Sequence, residues 1–203
     1  MNKREKEVFD YTHKKVKAWF KGRLSPGHDF GHAERVTRFS IRLARAEGGS
    51  IFLVALSGLL HDVGRAIEQE FPQKTHHELS YDLCRKWFGA DHVLKTLSRA
   101  EKLIILYAVR NHWNNFADGC WEAVILRDAD KLDLFGPIFI TRAKQHLDNS
   151  WNKIQHDFRL VYDCWYWLRT KTAKKIAGGK NFLQWSDKFY AKLLRSKAKP
   201  VRL

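Results

Sequence analysis

The chain has 203 residues, 44% hydrophobic and 29% charged, enough for one domain with a sizeable core, and no apolar run approaches the ~20 residues of a membrane span. Its formal net charge is +15, which favours anionic partners, and +9 of that lies between Lys171 and the C-terminus. The charged N-terminal run has no apolar signal core behind it, and Cys84, Cys120 and Cys164 lie far apart without CxxC spacing, so the expectation is a cytoplasmic chain with three free thiols.

Apolar residues recur at helical spacing almost throughout and no alternating strand pattern of useful length occurs, so the fold class is all-α. A first helix is expected over 6–21, with Phe9, Val16 and Phe20 on its buried side. After the loop Ser25-Pro26-Gly27-His28, Asp29 is the N-cap of a second helix reaching Ala46, which Gly48-Gly49 ends. Ser50 caps a third, apolar nearly all round as far as His61 and therefore central. Capping boxes, Thr75 with Glu78 and Ser98 with Glu101, open helices reaching Phe88 and His112.

Asn114, Asn115 and Asp118-Gly119 form the next break, before a helix over 121–132. Helices over 137–147, 151–170 and 182–194 complete the count, with Gly178-Gly179-Lys180 as a hinge. Two readings of the basic C-terminal third compete. Its aromatics suit a nucleic-acid surface, but Phe182, Trp185, Phe189 and Leu193 fall at three- and four-residue spacing, the stripe of a helix docked on its own domain. The docked helix is the preferred reading. The whole chain, 1–203, reads as a single domain.

The least comfortable residues are His61 and Asp62, side by side at the end of the apolar run. Burying either without a partner costs several kcal/mol, about 2–7 for a neutral polar group and more for a carboxylate, and a divalent cation compensates both at once. His32, His76, His112 and Asp130 also stand on apolar helices or at their ends. Histidine and carboxylate donors suit Mn, Fe, Co, Ni or Zn and leave Mg open, whereas a thiolate site would need clustered cysteines.

This arrangement resembles the HD-domain superfamily of metal-dependent phosphohydrolases, whose pattern is a histidine, an adjacent His-Asp pair and a distant aspartate. The matching residues are His32 in Gly31-His32-Ala33-Glu34, His61 and Asp62 in Leu60-His61-Asp62-Val63-Gly64-Arg65, and Asp130 in Asp128-Ala129-Asp130-Lys131-Leu132-Asp133. The likeness covers about 25–145, is closest to the small stand-alone bacterial branch, and implies a helical bundle in which those four residues hold one divalent ion. An ion with open positions lowers the pKa of bound water and polarises a phosphoryl group, which implies hydrolysis of a phosphate ester or pyrophosphate bond of a nucleotide or similar small compound.

Around the implied ion, His76 and His112 are candidates either for a second ion, bridged by the aspartate of the pair, or for substrate phosphate. Arg35, three residues after His32, and Arg65 and Lys131 are candidate phosphate cations, each competing with an ordinary surface role. Asp133 shares a helix face with Asp130 and is expected to orient a ligand or base, whereas Asp128 is expected at the surface and His28 and His77 are given no role. The glutamate of some nucleotidase relatives has no equivalent at Arg65, Glu68 being only an approximate substitute, and the Gly-Tyr-Pro signature of the cyclic-dinucleotide branch is absent. The competing function is a nucleic-acid binding or metal-sensing module with a structural ion and a basic tail.

Overall fold

The computed structural model describes residues 1–23, 25, 27–135 and 163–179, with isolated positions at 138, 142, 188 and 191. The helix expected over 182–194 with its aromatic stripe, that over 137–147, and 151–162 of the one expected over 151–170 lie outside the described residues, those isolated positions aside. Every described element is helical. None of the described helices is long and apolar enough to cross a membrane.

The N-caps set most of the boundaries. Helix α1 (Lys3–Phe20) starts three residues earlier than periodicity predicts, because Asn2 accepts from Glu5 N while the Glu5 carboxylate accepts from Asn2 N. Asp29 accepts from His32 N at 3.0 Å and opens α2 (Phe30–Glu47). Ser50 opens α3 (Ile51–Leu60), Thr75 α4 (His76–Ala90) and Ser98 α5 (Arg99–Asn111), while α6 spans Trp121–Leu132.

Helix α3 is buried from Phe52 to Leu60 and packs on α1, α2, α5 and α6, so it is the central rod. One apolar cluster, including Val36, Leu43, Leu126 and Ala129, fills the side toward α2 and α6; the other, including Val16, Leu56, Phe88 and Val109, fills the side toward α1, α4 and α5. Gly58 lets α2 come close, since a Cβ there would sit 2.9 Å from Thr37 Cα. That approach brings the start of α2 to the end of α3, where the paired histidine and aspartate stand.

Past Asp62 the chain forms a 3₁₀ segment, Val63–Glu70, which sequence periodicity did not register. It lies on α4 so tightly that a Cβ at Gly64 would collide with the carbonyl of His76 and sit 2.5 Å from Ser80 N, and Gly64 N donates to Ser80 Oγ at 2.9 Å.

Two expectations for the C-terminal third are corrected. Asp128 is fully buried, not at the surface: its carboxylate accepts from the backbone N–H of Arg169 and Thr170 and from the Thr170 hydroxyl at 2.7–3.1 Å. Those backbone donors are thereby withdrawn from any continuing helix, so the expected 151–170 helix is helical at 163–167 but not at 168–170. A new helix, α7 (Lys171–Gly179), starts there, with Thr170 Oγ1 accepting from Ala173 N at 3.2 Å and Ala173, Ile176 and Ala177 buried against α2 and α6. The three cysteines are free.

Candidate metal centre

Four side chains from two helices and the turn after α3 meet at one point. His32 comes from the first turn of α2, His61 and Asp62 from the end of α3, and Asp130 from the last turn of α6. His32 Nε2 lies 3.1 Å from His61 Nε2, 3.3 Å from Asp130 Oδ1 and 3.6 Å from Asp62 Oδ2, and His61 Nε2 lies 3.6 Å from Asp62 Oδ2 and 3.8 Å from Asp130 Oδ1. Donors about 2.0–2.2 Å from a common ion at angles near 90–120° stand roughly 3–4 Å apart, so these spacings suit a ligand set.

The tautomers follow from what each ring meets behind it. His61 Nδ1 donates to the Gly58 carbonyl at 2.8 Å, and His32 Nδ1 donates to Asp133 Oδ2 at 2.7 Å, since neither oxygen has a proton to give. Each ring in its neutral form therefore turns the lone pair of Nε2 inward, toward the other ring and two carboxylates. Both histidines are fully buried and Asp62 is only 3% exposed. Burial pushes His61 down to about 4, so it stays neutral. Burial acts the same way on His32, but the Asp130 and Asp133 carboxylates outweigh it and raise its pKa. Facing lone pairs beside carboxylates call for positive charge, and a divalent cation fits this nitrogen and oxygen set.

A second group shares Asp62. While Oδ2 faces His32 and His61, Oδ1 faces His112 Nε2 at 3.5 Å and His76 Nε2 at 3.6 Å, and it is a buried oxygen with no hydrogen-bond partner. His112 Nδ1 donates to the Val109 carbonyl at 2.7 Å, which leaves its Nε2 facing Asp62, and the Asp62 carboxylate outweighs burial and raises the His112 pKa. Burial pushes His76 down to about 3. Asp62, His76 and His112 form a second trio with the spacing of metal ligands, and the two trios meet at one carboxylate.

The surrounding cations are more committed than the sequence conveys. Arg35 donates from Nε and Nη2 to Asp133 at 2.7 and 3.0 Å, so those donors face the carboxylate that holds His32. Arg65 pairs with Glu68 at 2.9 Å, its Nε stands 3.9 Å from Asp62, and Glu68 in turn lies 3.7 Å from His76 Nδ1. Lys131 is buried on α6 and makes no ion pair with a described residue.

Sequence reading gave no role to Arg142, which is buried, donates to the Gly27 carbonyl at 2.7 Å and stands 3.1 Å from Asp133 Oδ2. Nothing in its local sequence marks it among thirty-seven Lys and Arg. The two histidines left without a role also border the site: the His28 ring lies edge-on to His32 at 5.3 Å, and His77 lies edge-on to His76 at 5.2 Å and stacks on Trp113 at 5.1 Å.

Comparison with known proteins agrees with this geometry. The HD domain family model matches residues 29–134, from the cap of α2 to just past Asp133. The chain is 27% identical over 121 residues to ribonuclease Y of Alkaliphilus metalliredigens, and 33% identical over 66 residues to that of Aliarcobacter butzleri. These matches cover 57% and 32% of this chain, but only 23% and 13% of those longer proteins.

Among solved structures, Bacillus subtilis YpgQ in complex with ADP superposes with a TM-score of 0.70 at 18% identity, covering 95% of this chain and 98% of that one. A predicted HD superfamily hydrolase from an uncultured Thermotogales bacterium gives 0.65 at 22%, covering 93% and 90%. An HD-superfamily hydrolase of Bacillus thuringiensis gives 0.66 at 22%, covering 94% and 97%. These likenesses show a common fold over nearly the whole chain. The chain belongs to the HD domain family, the metal-dependent hydrolases that its four-residue ligand pattern resembles.

Proposed function

We propose that this protein is a phosphohydrolase that cleaves a phosphate ester or pyrophosphate bond of a nucleotide or similar small phosphorylated compound, and that residues 1–203 form one HD-type domain. The observation that carries this reading is the convergence of His32 Nε2 and His61 Nε2 with the Asp62 and Asp130 carboxylate oxygens. In this reading those four residues hold a divalent ion. Such an ion supplies a nucleophile from water at neutral pH and polarises the phosphoryl group.

The chain's own residues do the rest. Asp133 fixes the His32 tautomer, and Arg35 and Arg142 keep its carboxylate ionised. His76 and His112, on the far side of Asp62, hold either a second ion or the substrate phosphate, and Arg65 stands beside them as a cation. The net charge of +15 draws anionic substrates, and the ADP bound by YpgQ, of the same fold, suits a nucleotide.

The test is a screen of phosphate esters and nucleoside di- and triphosphates with Mn, Fe, Co, Ni, Mg and Zn in turn, reading phosphate and pyrophosphate separately. Turnover lost in folded His61→Ala and Asp62→Ala variants supports the reading; inactivity of a verified metal-loaded sample across the panel overturns it. A second reading, nucleic-acid binding, draws on the exposed Lys171, Lys174 and Lys175 of α7 and on the partial likeness to ribonuclease Y. It requires salt-sensitive oligonucleotide binding that fails when those three lysines are replaced.

A further inference from the structure

Next to His112 stands Trp113, which is 57% exposed. Its ring stacks on His77 at 5.1 Å with 28° between planes, which leaves the opposite face to solvent. His77 in turn lies 6.4 Å from the His112 ring and 5.2 Å from His76, so the indole sits at the rim of the trio that shares Asp62.

The loop presenting Trp113 is held from below. The buried Arg127 guanidinium donates to the carbonyls of Asn114 and Ala117 at 2.6 and 2.7 Å and pairs with Asp118, and the Tyr107 hydroxyl accepts from Gly119 N at 2.9 Å. A large flat ring kept in water, but already fixed in orientation, has lost the conformational freedom that binding would otherwise remove. Aromatic rings in such places stack on the π-faces of heterocyclic bases.

We propose that Trp113 is a stacking platform for the base of a nucleotide substrate, selecting phosphate compounds that carry an aromatic ring over those that do not. The inference rests on the reading of the chain as a hydrolase of nucleotide-like phosphates and names the part of the substrate that lies outside the phosphate chemistry. Trp113 is a specificity residue; its ring packs on His77, which is not among the histidines facing Asp62.

The test compares two hydrolysis-resistant probes on the Mn-loaded protein by calorimetry: α,β-methylene-ADP, and methylenediphosphonate, which lacks the nucleoside. The wild-type chain should bind the nucleoside-bearing probe about tenfold or more tightly than the bare diphosphonate. In Trp113→Ala that preference should vanish while affinity for methylenediphosphonate is unchanged, and Trp113→Phe should keep most of the preference. Equal affinities in the wild type overturn the proposal. So does an Ala variant that weakens both probes equally, because Trp113 would then act only by holding His77, and so does self-association lost in the Ala variant with no probe preference, because the ring would then face a second copy. A wild type that shows the preference but turns over no phosphate compound sinks the hydrolase reading and leaves the platform standing; turnover without the preference does the reverse.

Discussion

His32 and Asp133 are joined by a 2.7 Å hydrogen bond between Nδ1 and Oδ2, and Asp133 is the only carboxylate that holds this ring from the side away from Asp62, among the described residues. Because Arg35 and Arg142 reach the same carboxylate, one buried acid fixes a histidine and pairs with two guanidinium groups. Asp133→Asn keeps the shape but removes the charge. It should weaken divalent-ion affinity about 10- to 100-fold, measured by competition with a chromophoric chelator, while Arg35→Lys, which breaks only the bidentate fork, should cost less.

Removing the ion is a stability experiment. At 100 times its dissociation constant a bound ion adds about 2.7 kcal/mol, and for a chain of this size each kcal/mol moves the melting temperature by roughly 2–4 °C. Divalent ions should raise the melting temperature of the wild type and a chelator should reverse the gain. Asp62→Ala, which removes the carboxylate common to both trios, should show no ion-dependent gain.

Position 64 tests how the 3₁₀ segment is seated. Gly64→Ala has no room against the backbone of His76 and Ser80, so it should cost about 2–3 kcal/mol by chemical denaturation. It should also shift the His76 imidazole resonances, because the turn of α4 that carries that ring must move.

Asp128 and Thr170 connect the helix of Asp130 to the C-terminal third. Asp128→Ala orphans two backbone donors and a hydroxyl in the interior and should lower stability by about 3 kcal/mol or more, against about 1 kcal/mol for Thr170→Val. Hydrogen exchange in α7 should accelerate in the first variant.

Acid stability has one assignable contribution far from the site. The Arg4 hydrogen bond holds the Glu101 carboxyl down to about 2, below its ordinary 4.5. A depressed carboxyl stabilises the folded chain fully above its unfolded value and loses that contribution as pH falls toward the folded one. Arg4 is nearly half exposed, so solvent screening reduces the effect to about 1 kcal/mol. Glu101→Gln, which keeps the capping box, should cost that much at pH 7, and the difference from wild type should fade between pH 4.5 and about 2.

The parts of this molecule written in short-range chemistry were readable in the sequence. Asp29, Ser50, Thr75 and Ser98 sit at the helix starts because capping depends on residues three apart, and α3 is central because nothing in it tolerates water. The family pattern groups His32, His61, Asp62 and Asp130, and their side chains do converge; that they hold an ion is the proposal. What depends on distant partners was not readable. Asp128 looks like any helix-surface acid until the chain returns forty residues later to donate to it, and Arg142 carries no mark of the carboxylate it meets. The 3₁₀ segment has no apolar period to betray it; only the collision at Gly64 explains its course.

The sharing of Asp62 leaves the two trios unequal in charge. Around His32 and His61 stand two carboxylates, Asp62 and Asp130, whereas around His76 and His112 stand Asp62 and a Glu68 that is already paired with Arg65. If both groups hold ions, as one arm of the proposal has it, a cation in the first position draws on the same Asp62 carboxylate that the second has to offer, so the second ion binds more weakly than the first. Occupancy would then follow the free-ion level in two steps, the position beside His32 and His61 filling before the one beside His76 and His112.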